Sequence, residues 1–155
     1  MGADIHTYAE KRVNGKWESI SVMDPEEAEE EDPWLEKSGR ITNGRDYLLF
    51  GLLSGVRYNW GFQVIPENQM CFPEDASEPV SEQWKREEGD AHTEGWLEWQ
   101  TLMDAQKKIN VLLLIGRLEP AIKDCIDELV ESFQAHANEY NLNVREMRII
   151  LWYDN

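Results

Sequence analysis

The stretch MGADIHTYAEKR sets Asp4, His6, Tyr8 and Glu10 on alternate positions, so on a strand these four side chains line one face. An acid, an imidazole, a phenol and a second acid together can move a proton, hold a cation or hydrogen-bond a polar ligand. The Asp4-x-His6 pair offers a carboxylate and an imidazole to one divalent metal. His92, from GDAH at 89 to 92, and Asp154 near the end of the chain can complete that shell, with Asp90 close by. A water bound there would be the nucleophile of a metal-dependent hydrolase. Without a metal, an Asp fixes the tautomer of a neighbouring His, and the pair serves as donor or general base.

Arginines point to a second chemistry. Lys and Arg number 15 against 31 Asp and Glu, for a net charge of −16, so each cation stands out. The guanidinium groups of Arg40, Arg45 and Arg57 can bind phosphate or carboxylate through paired hydrogen bonds, and Tyr47, Trp60 or Trp96 can stack on a base. Pairing with the abundant surface acids is the plainer role for the same arginines. The ligand set drawn from these residues is His6, Arg45, Tyr47, Arg57, His92 and Asp154, arranged for a small anion.

Other chemistries find no support. A charge of −16 repels nucleic-acid backbones and anionic membranes, so neither direct nucleic-acid binding nor membrane association is expected. The longest aliphatic run, VLLLI at 111 to 115, is far too short to span a bilayer. Cys71 and Cys125 form no CxxC pair, which leaves a zinc site or disulfide framework without a basis and fits a reducing cytoplasm. No serine sits in GxSxG, and neither a Walker loop nor a dinucleotide fingerprint is present. The block DPEEAEEEDP carries seven acids in its first nine residues. It reads as an exposed acidic segment over 24–33, which would contact a host protein in an inhibitor that imitates DNA, although one short block is not a DNA-length array.

The elements that must position these residues suggest a single α+β domain over 1–155. Alternation from Ala3 to Val13, the Asn14-Gly15 turn and a second run from Trp17 predict an N-terminal hairpin. The β-rich NVREMRIILWYDN predicts a C-terminal strand. If that strand pairs antiparallel with the first, Asp154 approaches Asp4 and His6. Helices are expected near 44–54, ending at Gly55, near 94–106 with Thr93 as N-cap, and over 120–140 starting at Pro120. They would cover one face of a small antiparallel sheet. KINVLLLIGR suits strand or helix equally, residues 58–95 read as an irregular connection, and His136 belongs to packing beside Phe133 and Tyr140.

Taken together, MGADIHTYAEKR, the Trp after the NG turn, GRDYLLFGLLSGVR, FPEDAS, DAHTEGWL and RIILWYDN resemble a functionally uncharacterised family of small bacteriophage and prophage proteins. The family pattern runs MGxDIHxYxExR, RxYxLFxxLxxVR, PxDxS, DxHSxxWL and WFDN, and the likeness extends from end to end. It points to Asp4, His6, Glu10, Arg45, Tyr47, Arg57, Asp75, Ser77, Asp90, His92, Trp96 and Asp154. Thr93 and Tyr153 depart from the family's Ser and Phe, and the acidic block lies outside the pattern. The resemblance implies an accessory role in the host cytoplasm, such as countering host defence by binding a nucleotide signal. A likeness of the D-x-H and GDAH pieces to calcineurin-like metallophosphatases fails for want of a GNH motif and further histidines.

Overall fold

A computed structural model describes residues 2–20 and 45–154. The acidic segment 24–33 and Arg40 lie outside the described residues. Strands β1 (Asp4–Val13) and β2 (Lys16–Ser19) form the hairpin. Its two turn residues, Asn14 and Gly15, have φ of 51° and 77°, the doubly left-handed turn whose twist matches that of the flanking strands. β3 (His92–Glu98) and β4 (Met147–Asp154) complete a four-stranded antiparallel sheet in the order β2-β1-β4-β3. The architecture is α+β.

β1 and β4 pair so that Asp4 opposes Asp154, His6 opposes Trp152, Tyr8 opposes Ile150 and Glu10 opposes Arg148. Opposed residues share a face, so this register sends the alternating polar series of β1 to one side of the sheet. Thr7, Ala9, Ile149, Leu151 and Tyr153 go to the other.

Among the described residues there are four α-helices: α1 (Tyr47–Ser54), α2 (Glu78–Glu87), α3 (Trp99–Leu114) and α4 (Pro120–Glu139). α1 starts where the Asp46 carboxylate accepts a hydrogen bond from Leu49 N at 3.1 Å, and stops at Gly55, whose φ of 71° releases an N–H to Gly51 O. α4 begins with Pro120, whose missing N–H costs nothing in a first turn. Its buried stripe of Ile122, Ile126, Leu129 and Phe133 packs into the main core with Leu97, Leu102, Ile109 and Ile149. His136 is buried in the same helix, edge-on to Tyr140 with ring centroids 4.7 Å apart.

Two expectations need correction. Residues 94–98 are strand, and the helix begins only at Trp99. Leu97 enters the helix-side core while Trp96 joins the opposite cluster, and pairing with β4 satisfies a backbone that helical propensity alone would have coiled. Thr93, expected as an N-cap, instead takes φ of 55° within a bulge between His92 and Gly95. The ambiguous 108–114 stretch is the end of α3. The second correction is that helices cover both faces. α2, inside the span read as irregular, lays Val80 and Trp84 with Phe72 over Tyr8, Ile150 and Trp152. With only Val80 and Trp84 as apolar anchors one turn apart, α2 is too polar to announce itself by periodicity. Double coverage explains why seven of the eight β4 residues are buried.

Candidate functional site

At the end of the sheet where β1 begins and β4 finishes, the antiparallel register brings two carboxylates side by side. His6 Nε2 donates to Asp154 Oδ2 at 2.9 Å, a partner that fixes the protonated nitrogen because a carboxylate only accepts. The His6 ring lies against Trp152, centroids 6.4 Å apart and 29° between planes. Asp4 is gripped by Arg45, with Nε donating to Oδ1 at 2.5 Å and Nη2 to Oδ2 at 2.8 Å, the paired fork of a guanidinium on a carboxylate. Arg45 reaches it because Asp46 caps α1 and so sets the chain direction just before the helix. A Cβ at Gly2 would collide with Arg45 Nη1, so glycine lets the guanidinium lie over the backbone.

α1 carries the next members. The hydroxyl of Tyr47, the first helical residue, accepts from Ala3 N at 3.3 Å. The Arg57 guanidinium stands 5.9 Å from the centre of the Tyr47 ring. Arg57 holds φ of 67°, a conformation costly for a residue with a Cβ and concentrated at functional positions. The hydrogen bond from Arg45 holds the Asp4 carboxyl below the usual range; burial opposes it, and the charges of Arg45 and His6 add to the lowering. Arg45 is raised in turn, chiefly by Asp4, with further pull from Tyr47 and Asp154. All four charged or titratable ends of the two pairs remain open to water, at 20% exposure for His6, 36% for Asp154, 47% for Asp4 and 53% for Arg45.

His92 belongs elsewhere. Its Nδ1 pairs with Thr93 Oγ1 at 2.8 Å and its ring stacks on Tyr153, centroids 6.1 Å apart. Tyr153 faces the helix-side core, where its hydroxyl bonds Ser54, whereas Trp152, the partner of His6, faces the other way. His6 and His92 therefore stand on opposite sides of the sheet, and the Asp4, His6, His92, Asp154 shell is not assembled. Among the described residues no group of three or more His, Cys, Asp or Glu is placed to hold a metal. Asp90 is exposed in the turn after α2. Tyr58 and Trp60 pack together, centroids 4.2 Å apart, against Gly51 of α1.

A second constellation lies further along the same two strands. Arg148 Nε donates to Glu10 Oε1 at 2.8 Å, Nη2 forms an ion-pair contact with that oxygen at 2.7 Å, and Nη1 donates to Asp75 at 2.8 Å. Ser77 N donates to Glu10 Oε2 at 2.6 Å, and the Ser77 and Ser19 hydroxyls meet at 2.5 Å. The guanidinium lies 4.2 Å from the Trp17 ring centre and 5.8 Å from that of Trp96. Glu10, Asp75, Ser77 and Trp96, singled out by the resemblance, thus converge on Arg148, which sequence reasoning missed. The signal was there: if Asp4 opposes Asp154, counting along both strands puts Arg148 opposite Glu10.

No protein-family model matches the chain, nor does any curated protein or solved structure. Among the described residues no helix is long and apolar enough to cross a membrane.

Proposed function

We propose that this chain is a phage-type accessory protein that binds a small anionic ligand, a nucleotide signal in a counter-defence setting, at the joined ends of β1 and β4. The observation that carries the reading is the exposed fork of Arg45 on Asp4, a guanidinium already holding an oxyanion in the geometry a phosphate takes. Asp4 acts as an internal stand-in that the ligand displaces. Exchange is cheap because both partners stay in water and the broken pair is rehydrated. Arg57 supplies the second positive charge, Tyr47 a ring face, and His6 a hydrogen bond whose direction Asp154 sets. His92 is not part of the site in this reading. Action in the host cytoplasm belongs to the same proposal.

Native mass spectrometry of protein freshly purified from its expression host tests it. A nucleotide-sized mass retained by the parent and lost in a folded Arg45→Ala, Arg57→Ala variant is the expected result. A ligand retained equally by both proteins would place the site elsewhere.

A further inference from the structure

The segment over 62–69 runs beside the outer edge of β3, where a Cβ on Gly95 would press on Ile65. Between that segment and the first turns of α3 opens a cleft of about 410 Å³, within the size range of small-molecule sites. It lies toward the Glu98 end of β3, whereas the proposed anion site is at the end marked by the pairing of His92 with Tyr153.

The lining is unusual for so acidic a chain. Four carboxamides, Gln63, Asn68, Gln69 and Gln100, face the space together with the Thr101 hydroxyl. Several are held in fixed orientations. Thr101 donates to Gln69 Oε1 at 3.1 Å, which turns the Gln69 amide nitrogen outward as a donor, and Gln100 donates to Asp104 at 2.8 Å, which presents its carbonyl oxygen as an acceptor. The charged groups in the lining are Glu98, Asp104 and Lys108, and the Lys108 ammonium is drawn 4.9 Å above the Phe62 ring centre. Glu98 pairs with Arg12 at 3.7 Å and Lys108 is drawn to the Phe62 ring, so both nearby cations are already engaged and an anion is disfavoured, while paired donors and acceptors suit hydroxyl and amide groups. Phe62, half-buried, supplies an apolar wall.

We infer that this cleft is a second binding site, for a small neutral saccharide bearing hydroxyl or acetamido groups. Titration of the full chain with N-acetylglucosamine, and separately with glucose, followed through the side-chain amide resonances of Gln69 and Gln100, tests it. Saturable shifts of both residues are expected with at least one sugar, weakened about tenfold by Gln100→Ala, the loss of roughly one hydrogen bond. Thr101→Val, which releases Gln69, should weaken binding similarly, and Arg45→Ala should leave it unchanged. Absence of saturable shifts with both sugars up to their solubility overturns the inference, as do shifts that survive both cleft substitutions. Sodium acetate run alongside should give no saturable shift at these residues, and equal binding of acetate would also overturn it.

Discussion

β1 carries two carboxylates a few residues apart, each paired with an arginine, and the two pairs differ in nearly everything except charge. Glu10 and Arg148 are 0% and 2% exposed and are held by the Ser77 backbone, Asp75 and Trp17. Asp4 and Arg45 make a two-oxygen fork but stand half in water. A buried charge left without its partner is very costly, whereas an exposed one is simply rehydrated. The first couple therefore fastens the 73–77 turn and the hairpin to the sheet, and only the second can trade one anion for another. That contrast gives Glu10, Asp75, Ser77 and Trp96 a structural role around Arg148 and leaves Asp4 and Arg45 as the couple on which the proposed binding rests.

The largest effect should come from breaking the buried couple. Arg148→Ala should cost about 3–5 kcal/mol in urea denaturation, because Glu10 is left as an unpaired interior charge. Replacing both members, Glu10→Leu with Arg148→Met, should recover most of that loss, which separates the penalty of the orphaned charge from the worth of the pair.

Alkaline pH should be the next strongest probe of the interior. Burial pushes the Cys125 thiol from 9.0 up to about 12 and raises the Tyr153 phenol, against the smaller lowering by its Ser54 bond. Raised values mean that stability is complete below the unfolded values and declines as pH climbs toward the folded ones. From about pH 9 upward, unfolding free energy should fall by up to about 1.4 kcal/mol per pH unit for each group, with a gentler slope in Tyr153→Phe. Asp4 has the opposite sign. Its depressed carboxyl stabilises above its unfolded value near 3.8 and loses that contribution as pH falls through the lower folded one, a small effect at a half-exposed site.

The smallest effect on stability should be that of Asp4→Asn, with a urea midpoint close to the parent's. The same change should strengthen pyrophosphate binding by about tenfold in calorimetry, since one competing hydrogen-bonded charge is removed. Unchanged affinity would show that Asp4 does not compete for the site.

Much of this fold was legible. The Asn14-Gly15 hairpin, α1 with its Gly55 cap and α4 from Pro120 follow from local turn chemistry and periodicity, while the approach of Asp154 to His6 depended on an antiparallel pairing of the first and last strands that only the register decides. The β3 strand did not, because Trp96, Leu97 and Trp99 suit a helical stripe as well as an alternating one, and only pairing with β4 decides between them. α2 escaped because its two apolar anchors give no sustained period. Of the candidate site, Asp4, His6, Arg45 and Asp154 were legible as polar groups, but not the place of His92 nor the split between exposed and buried constellations. Types and spacing cannot show that Trp152 and Tyr153 draw His6 and His92 to opposite faces, or that Glu10 is engaged inside the protein.

The most direct test of exchange at the β1–β4 end is a titration with pyrophosphate followed through the arginine Nε–H resonances. The Arg45 and Arg57 signals should move with a common saturation curve while that of Arg148 stays fixed, and Arg45→Ala should abolish the shift at Arg57. Immobile Arg45 and Arg57 signals at saturating pyrophosphate would contradict the account and leave the Asp4–Arg45 fork as a surface ion pair.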